Sequence, residues 1–113
     1  MHELALMEEL YRLASEAAQR EGASRMERVH LRIGDLSGVD PSALQQAFSV
    51  VVSQGSWGEP TLQLERVPTR CFCRSCQSPF APRDLIYACP LCGLLCAEVL
   101  QGRELELVAL EVT

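Results

Sequence analysis

Two short cysteine hooks constrain this chain more than any other feature: Cys73-x2-Cys76 and Cys89-x2-Cys92, with 12 residues between them. Each hook folds two sulfurs toward one point, and a hairpin between the hooks brings the two points together. Four thiolates in tetrahedral array make a structural zinc site. Pro90 and Gly93 frame the second hook as Cys-Pro-Leu-Cys-Gly. The proline stiffens the approach and the glycine permits the tight turn that follows. Iron is the competing metal, since rubredoxin-type electron carriers use the same paired hooks. The bland alternative, four buried reduced cysteines, gives no reason for the paired spacing. The stretch that bears the hooks, roughly Arg70 to Ala97, is too polar to build much core, so the metal is expected to hold it folded.

All six cysteines fall between Cys71 and Cys96, and the chain carries no Lys among its 10 basic residues. Reducing compartments disfavour disulfides, so such clustering points to metal. Cys71 and Cys96 lie outside the hooks and bracket them. They are spare ligands, a redox-sensitive pair or small buried side chains; a four-coordinate zinc has no vacancy for either. Without Lys there is no Schiff-base chemistry and no phosphate-loop lysine. A formal charge of −5 and a pI near 5.0, with no basic cluster, make nucleic acid a poor partner. No apolar run approaches the roughly 18 residues of a membrane span. The start, Met1-His2-Glu3, lacks the basic and apolar regions of a secretory signal. A cytoplasmic protein is expected.

Apolar residues recur with helical period at Leu4, Met7, Leu10, Tyr11, Ala14, Ala17 and Ala18, and Gly22 is placed to end the helix near Arg20. Met26–Ile33 then alternates, with Val29, Leu31 and Ile33 on one face and Arg28, His30 and Arg32 on the other, as in a half-buried strand. After a turn at Gly34 to Gly38, Asp40-Pro41 reads as an N-cap followed by proline at the first helical position. Leu44, Ala47, Phe48, Val51 and Val52 carry this second helix to Gly55. Thr61–Val67 alternates with Leu62 and Leu64 inward. Glu104–Val112 makes the last strand, but its apolar phase slips between Leu107 and Val108, which a bulge or two-sided burial would explain. The fold class is α+β: two helices packed on a three-stranded sheet, with an inserted four-cysteine, zinc-ribbon-like module. Residues 1–69 and 98–113 form the main domain and residues 70–97 the module, coupled through Val67–Arg70 and Leu100–Arg103.

His2 is the other residue to single out. The Met1 amine, the His2 amide nitrogen and the His2 imidazole can chelate one metal in fused rings, given that the bulky His protects Met1 from removal. Deprotonated amides favour square-planar, nitrogen-rich coordination, which suits Ni(II) or Cu(II). The Glu3 amide or a nearby carboxylate would supply the fourth ligand. Taken alone, such a His is also a frayed terminus. His30, on the arginine-bearing face, reads as a solvated side chain. With two His residues, no nucleophile elbow, no phosphate loop and no clustered acid pair, nothing points to an enzyme.

The opening Met1-His2-Glu3-Leu4, the turn Gly34-x3-Gly38-Val39-x-Pro41-x2-Leu44 and the module Cys71-x-Cys73-x2-Cys76…Cys89-Pro90-x-Cys92 together resemble the HypA/HybF hydrogenase maturation factors. The resemblance covers essentially the whole chain, with three separated motifs in the right order. It implies a nickel-binding α/β domain with an inserted zinc domain, and a metallochaperone for [NiFe]-hydrogenase, in some organisms also for urease. Carried over by position, His2 is the essential nickel ligand and backbone nitrogens complete much of the square. Glu3 contributes its amide or orients a partner. Asp40 matches an acid that supports the nickel site, with the helix cap as its alternative role. Cys73, Cys76, Cys89 and Cys92 hold Zn(II), while Ni(II) is cargo. Some relatives place His in the zinc module; this chain has none there, so no switch can use one. Cys71 and Cys96 receive no role by analogy.

The implied partners are a nickel-binding GTPase of the maturation system, the [NiFe]-hydrogenase large subunit and, for some relatives, a urease accessory protein. Monomer and homodimer both remain open. The helix Leu4–Arg20, which follows the nickel site directly and exposes Glu8, Glu9 and Arg12, is the expected GTPase docking surface. Two other classes compete: a zinc-ribbon interaction adaptor with no nickel role, and a rubredoxin-like electron carrier. The adaptor lacks a basic or aromatic stripe, since Tyr11, Trp57 and Tyr87 are scattered. Both predict indifference to His2.

Overall fold

A computed structural model describes residues 2–82, 87–96 and 98–113. The chain runs α1 (Glu3–Arg20), β1 (Met26–Gly34), α2 (Pro41–Gln54), β2 (Thr61–Val67), β3 (Arg70–Cys73), β4 (Ser78–Phe80), β5 (Glu98–Gln101) and β6 (Leu105–Val112). Among the described residues these strands form two three-stranded sheets, ordered β2-β1-β6 and β4-β3-β5.

Helix α1 buries Met7, Leu10, Tyr11, Ala14 and Ala18, the stripe expected from its period. Gly22 ends it at φ 68°, with Ala23 N–H donating to the Ala18 carbonyl and Gly22 N–H to that of Gln19. Those two bonds satisfy carbonyls that the last turn would leave bare, and the left-handed residue they need is cheap for glycine. Helix α2 starts as its sequence asks: Asp40 Oδ1 accepts the Ser42 N–H at 3.0 Å and Pro41 opens the first turn.

The helices cover one face of the first sheet. Val29, Leu31 and Ile33 of β1 are buried beneath them, with Leu44, Ala47, Phe48 and Val51 of α2 above. Burying a side chain such as Leu31 or Leu44 stabilises the fold by about 1.5–3 kcal/mol. Trp57 closes one end, its Nε1–H donating to Ser15 Oγ at 3.1 Å while its carbonyl accepts the Met26 N–H.

Strand β1 is central, parallel to β2 and antiparallel to β6. Pairing with β6 shifts register twice, at Glu27 of β1 and at Val108 of β6. His30 pairs with Ala109 and Leu31 with Leu107, so Val108 is an extra residue and stays exposed. The phase slip in the last strand is therefore a bulge. It lets Leu105, Leu107, Leu110 and Val112 all reach the core. The slip at Glu27 acts similarly on β1, putting Met26 on the same buried face as Val29.

Two sequence expectations need correction. The boundary after residue 97 differs from the strand pairing: Glu98–Gln101 pairs with β3, so the second sheet extends to Gln101. The hooks alone cannot reveal this, because β5 is the return strand that shields β3 on its second edge. His30 is half-buried rather than solvated. Its Nε2 makes no hydrogen bond and lies 3.8 Å from Glu65, wedged in a charged face where Arg32 bonds both Glu65 and Glu106.

The two units meet at a backbone crossing. The Gly102 carbonyl accepts the Leu36 N–H at 2.6 Å, Gly34 N–H donates to the Glu104 carbonyl, and Gln101 Nε2 donates to the Pro68 carbonyl. A Cβ on Gly34 would sit 2.0 Å from the Gly102 oxygen, so only glycine fits there.

Candidate metal centre

Strand β3 delivers Cys73 at its end, and the chain then turns through Cys76 into β4. Cys76 N–H donates to Cys73 Sγ at 3.4 Å, curling the first hook around its own sulfur. The second hook repeats the plan. Cys89 N–H donates to the Leu94 carbonyl and Gly93 N–H to the Cys89 carbonyl, while an isolated bridge joins Ala88 to Leu95. Each hook turns on a left-handed residue directly after its second cysteine: Gln77 at φ 54° and Gly93 at φ 76°. At Gln77 that conformation carries a cost, which the loaded site has to offset.

The four ligand sulfurs of Cys73, Cys76, Cys89 and Cys92 lie within 4.8 Å of one another. Two of the separations are 3.5 Å, for Cys73 to Cys92, and 3.9 Å, for Cys76 to Cys89. A tetrahedron with Zn–S bonds of 2.3 Å has sulfur–sulfur edges of about 3.8 Å. The donor set thus matches a tetrahedral thiophilic ion, and the distances are far from the roughly 2.05 Å of a disulfide. Cys73 and Cys89 are buried while Cys92 is exposed, which leaves the site anchored on one side and open on the other.

Electrostatics agree with a cation at the centre. Backbone N–H groups of Cys92 and Leu91 draw the Cys89 thiol down to about 7. Cys76 is pushed up to about 12, first by its hydrogen bond with the Cys92 thiol and then by burial. Four thiols this close cannot all ionise unaided, and a bound divalent cation removes that conflict. Among the described residues this is the group of metal-capable side chains whose ligand atoms converge. Cys71 and Cys96 fall outside it. Around the ligands the small core consists of Cys71, Phe80 and the partly buried Tyr87, Cys96 and Val99.

The expected nickel residues sit at the other unit. Met1, whose amine the chelate requires, lies outside the described residues. His2 is exposed at the N-cap of α1, its carbonyl accepting the Leu6 N–H at 3.1 Å. Glu3 reaches across to α2, where its Oε2 accepts the Asp40 N–H at 3.1 Å. That bond is the main reason the Glu3 carboxyl lies below the usual carboxylate range. The structure thus brings Glu3 and Asp40 together and leaves His2 next to Glu3 at the start of α1, although the three side chains do not converge as ligands. Asp40 is a helix cap through Oδ1. Sequence reasoning placed a coupling at Val67–Arg70 and Leu100–Arg103 but missed its partner: the Gly102–Leu36 bond ties the module to the loop that leads to Asp40. Gly34 and Gly102 are the only local signals of it.

Residues 1–112 match the family model described as hydrogenase/urease nickel incorporation, metallochaperone, hypA. The hydrogenase maturation factor HypA of Picosynechococcus sp. is 44% identical over 112 residues, covering 99% of each chain. That of Roseiflexus sp. is 40% identical over 98% of this chain and 91% of its own. The solution structure of the Ni metallochaperone HypA from Helicobacter pylori superposes with a TM-score of 0.68 at 29% identity, covering 99% of this chain and 97% of that one. A second solution structure of a HypA protein gives 0.72 at 28% identity.

Proposed function

This chain belongs to the HypA family of metallochaperones for hydrogenase and urease nickel incorporation, and from that premise we propose that it carries Ni(II) on its first three residues. The observation that supports this reading is the clasp between the two helix starts, Glu3 Oε2 to Asp40 N–H. It holds the beginning of α1 in place while His2 stays exposed. The first N–H groups of a helix have no carbonyl partner within it. Those of His2 and Glu3 are accordingly free of helical bonds, and the positive end of the helix dipole favours the negative charge of a deprotonated amide.

The Met1 amine, the His2 amide and the His2 imidazole then offer three nitrogens in fused rings, and a nearby carboxylate can close the planar set that suits Ni(II). The Asp40 cap occupies one carboxylate oxygen, so its second oxygen can face the bound cation without uncapping α2. An exposed terminal chelate releases its cargo by ligand exchange, one donor at a time, without a free aquo ion.

The four-thiolate site holds Zn(II), which supplies a fixed tetrahedral knot for the module; the cargo ion does not use it. In this reading the protein is a carrier rather than a catalyst and acts in the cytoplasm. Its partners are a nickel-binding GTPase, docking on the exposed face of α1 where Arg12 links Glu9 and Glu16, and the [NiFe]-hydrogenase large subunit. A urease accessory protein is a further acceptor. No described helix is long and apolar enough to cross a membrane.

The test is calorimetric titration of Ni(II) into tag-free, zinc-loaded protein with a native N-terminus, beside His2→Ala and an N-terminally acetylated sample. One equivalent should bind the unmodified protein and none the other two. Equal binding by all three would move nickel to the thiolates and overturn the reading.

A further inference from the structure

Strand β6 lies at the edge of the first sheet: among the described residues it pairs with β1 on one side and with no strand on the other. A free edge presents a row of N–H and C=O groups, which proteins usually guard with lysine, proline or a very short strand. The eight residues of β6 include no proline and no basic residue, and the one irregularity on the strand is the surplus Val108. The side chains that face the core, Leu105, Leu107, Leu110 and Val112, are only half-buried. Where the end of α1 meets the strand, a cavity of about 350 Å³ is lined by Ala17, Arg20, Glu21, Leu110 and Val112.

The opposite face of the same edge carries charge. Register with β1 sets Glu106 beside Arg32, Ala109 beside His30 and Glu111 beside Arg28. Arg32 donates to Glu106 Oε1 at 3.1 Å, and Arg28 lies 3.8 Å from Glu111 Oε1. Each carboxylate is thus held through one oxygen by a cation one strand further in. At the cavity, Arg20 lies 3.9 Å from Glu16, and Glu21 beside it adds a further negative charge. The edge is therefore apolar toward the helices and acidic on its other face. A second copy set edge to edge would bring its own Glu106 and Glu111 onto that acidic face, and like charges opposed across strands destabilise pairing.

We propose that β6 is a docking edge for an extended basic segment of a partner protein, which adds as a fourth strand with apolar side chains toward the cavity and lysine or arginine toward Glu106 and Glu111. Main-chain hydrogen bonds along β6 supply affinity, and the alternate side chains supply specificity. Successive residues of a strand point to opposite faces, so the segment alternates apolar and basic residues. Cross-strand neighbours lie about 5 Å apart, well within reach of a long cationic side chain. The sheet order becomes β2-β1-β6-partner, with the helices covering the apolar side of the added strand. The docking edge uses neither the first three residues nor the four thiolates, and it is independent of the nickel reading.

The probe is a capped peptide of alternating valine and lysine, matched to β6 in length, titrated into the full zinc-loaded chain and followed by amide NMR. The expected result is saturable shifts along β6 and at Ala17 and Glu21, with slower amide exchange in β6. No binding is expected when the lysines are replaced by glutamate, or when alternate peptide nitrogens are methylated and cannot donate. Glu106→Gln combined with Glu111→Gln should weaken binding several-fold, as should Ala17→Leu, which fills the cavity. Both glutamates are exposed, so the glutamine variant keeps the test valid even if Ala17→Leu folds poorly. Equal binding by the methylated peptide would mean charge attraction without strand pairing. Shifts centred on Glu9 and Glu16, β6 amides already protected in a dimer of this chain, or no saturable binding at millimolar peptide would equally overturn the proposal.

Discussion

Asp40 ties the starts of the two helices together. Its Oδ1 caps α2 through Ser42 N–H, and its own N–H is held by Glu3. Asp40→Ala removes the cap and should cost about 1 kcal/mol of stability in urea denaturation. Asp40→Asn keeps a cap of equal quality and loses only the charge. Stability should therefore hold in Asp40→Asn, and any several-fold weakening of Ni(II) binding in that variant reports the charge alone. Unchanged nickel affinity would leave Asp40 as a cap and nothing more. The Glu3 clasp has its own pH dependence. The carboxyl lies below its ordinary value when folded, so the clasp contributes fully above about 4.5 and is lost as pH falls through the lowered value.

Strand β6 is the element whose pattern fails to alternate, and the cause is a single surplus residue. With Val108 out of register, Leu105, Leu107, Leu110 and Val112 all face inward. Deleting Val108 leaves an uninterrupted in–out order, so the shortened protein is expected to fold with a stability within about 1 kcal/mol of the parent. Deleting Glu106 instead turns Leu107 to solvent and puts Val108 inside, a large-to-small exchange plus an exposed leucine. It should lower the midpoint clearly in the same denaturation series. Collapse of the Val108 deletion would mean that the bulge is needed for twist rather than merely tolerated.

At the scale of the whole molecule, two small cores share one backbone joint. The helices rest on the first core, while the second is little more than Cys71, Cys73, Phe80 and Cys89. Stripping metal from reduced protein should therefore unfold the module and spare the rest. Far-UV helix signal and Trp57 fluorescence are expected to persist, and amide signals of β3 to β5 to lose dispersion. Loss of helix signal as well would show that the Gly34–Gly102 crossing transmits unfolding. Metal release should become easier on acidification, because thiolates must be unprotonated to ligate and the Cys89 thiol titrates near 7. Chelator competition followed from pH 8 to pH 5.5 checks the direction.

Much of this was legible along the chain. Period and capping residues give α1 and α2, and hook spacing gives the four ligands, because each depends on residues within one or two turns of each other. The phase slip at Val108 was visible as an irregularity, and its meaning was not, since a bulge is defined by the partner strand. Other features exist only in three dimensions: the return of β5 to β3, the wedging of His30 and the Glu3 clasp on Asp40. The Gly34–Gly102 crossing belongs with them. Each joins positions far apart in sequence through a few contacts, and so few contacts leave no periodic trace. Local chemistry thus sets which elements form and where a metal can be gripped, while long-range closure decides which ends of those elements touch.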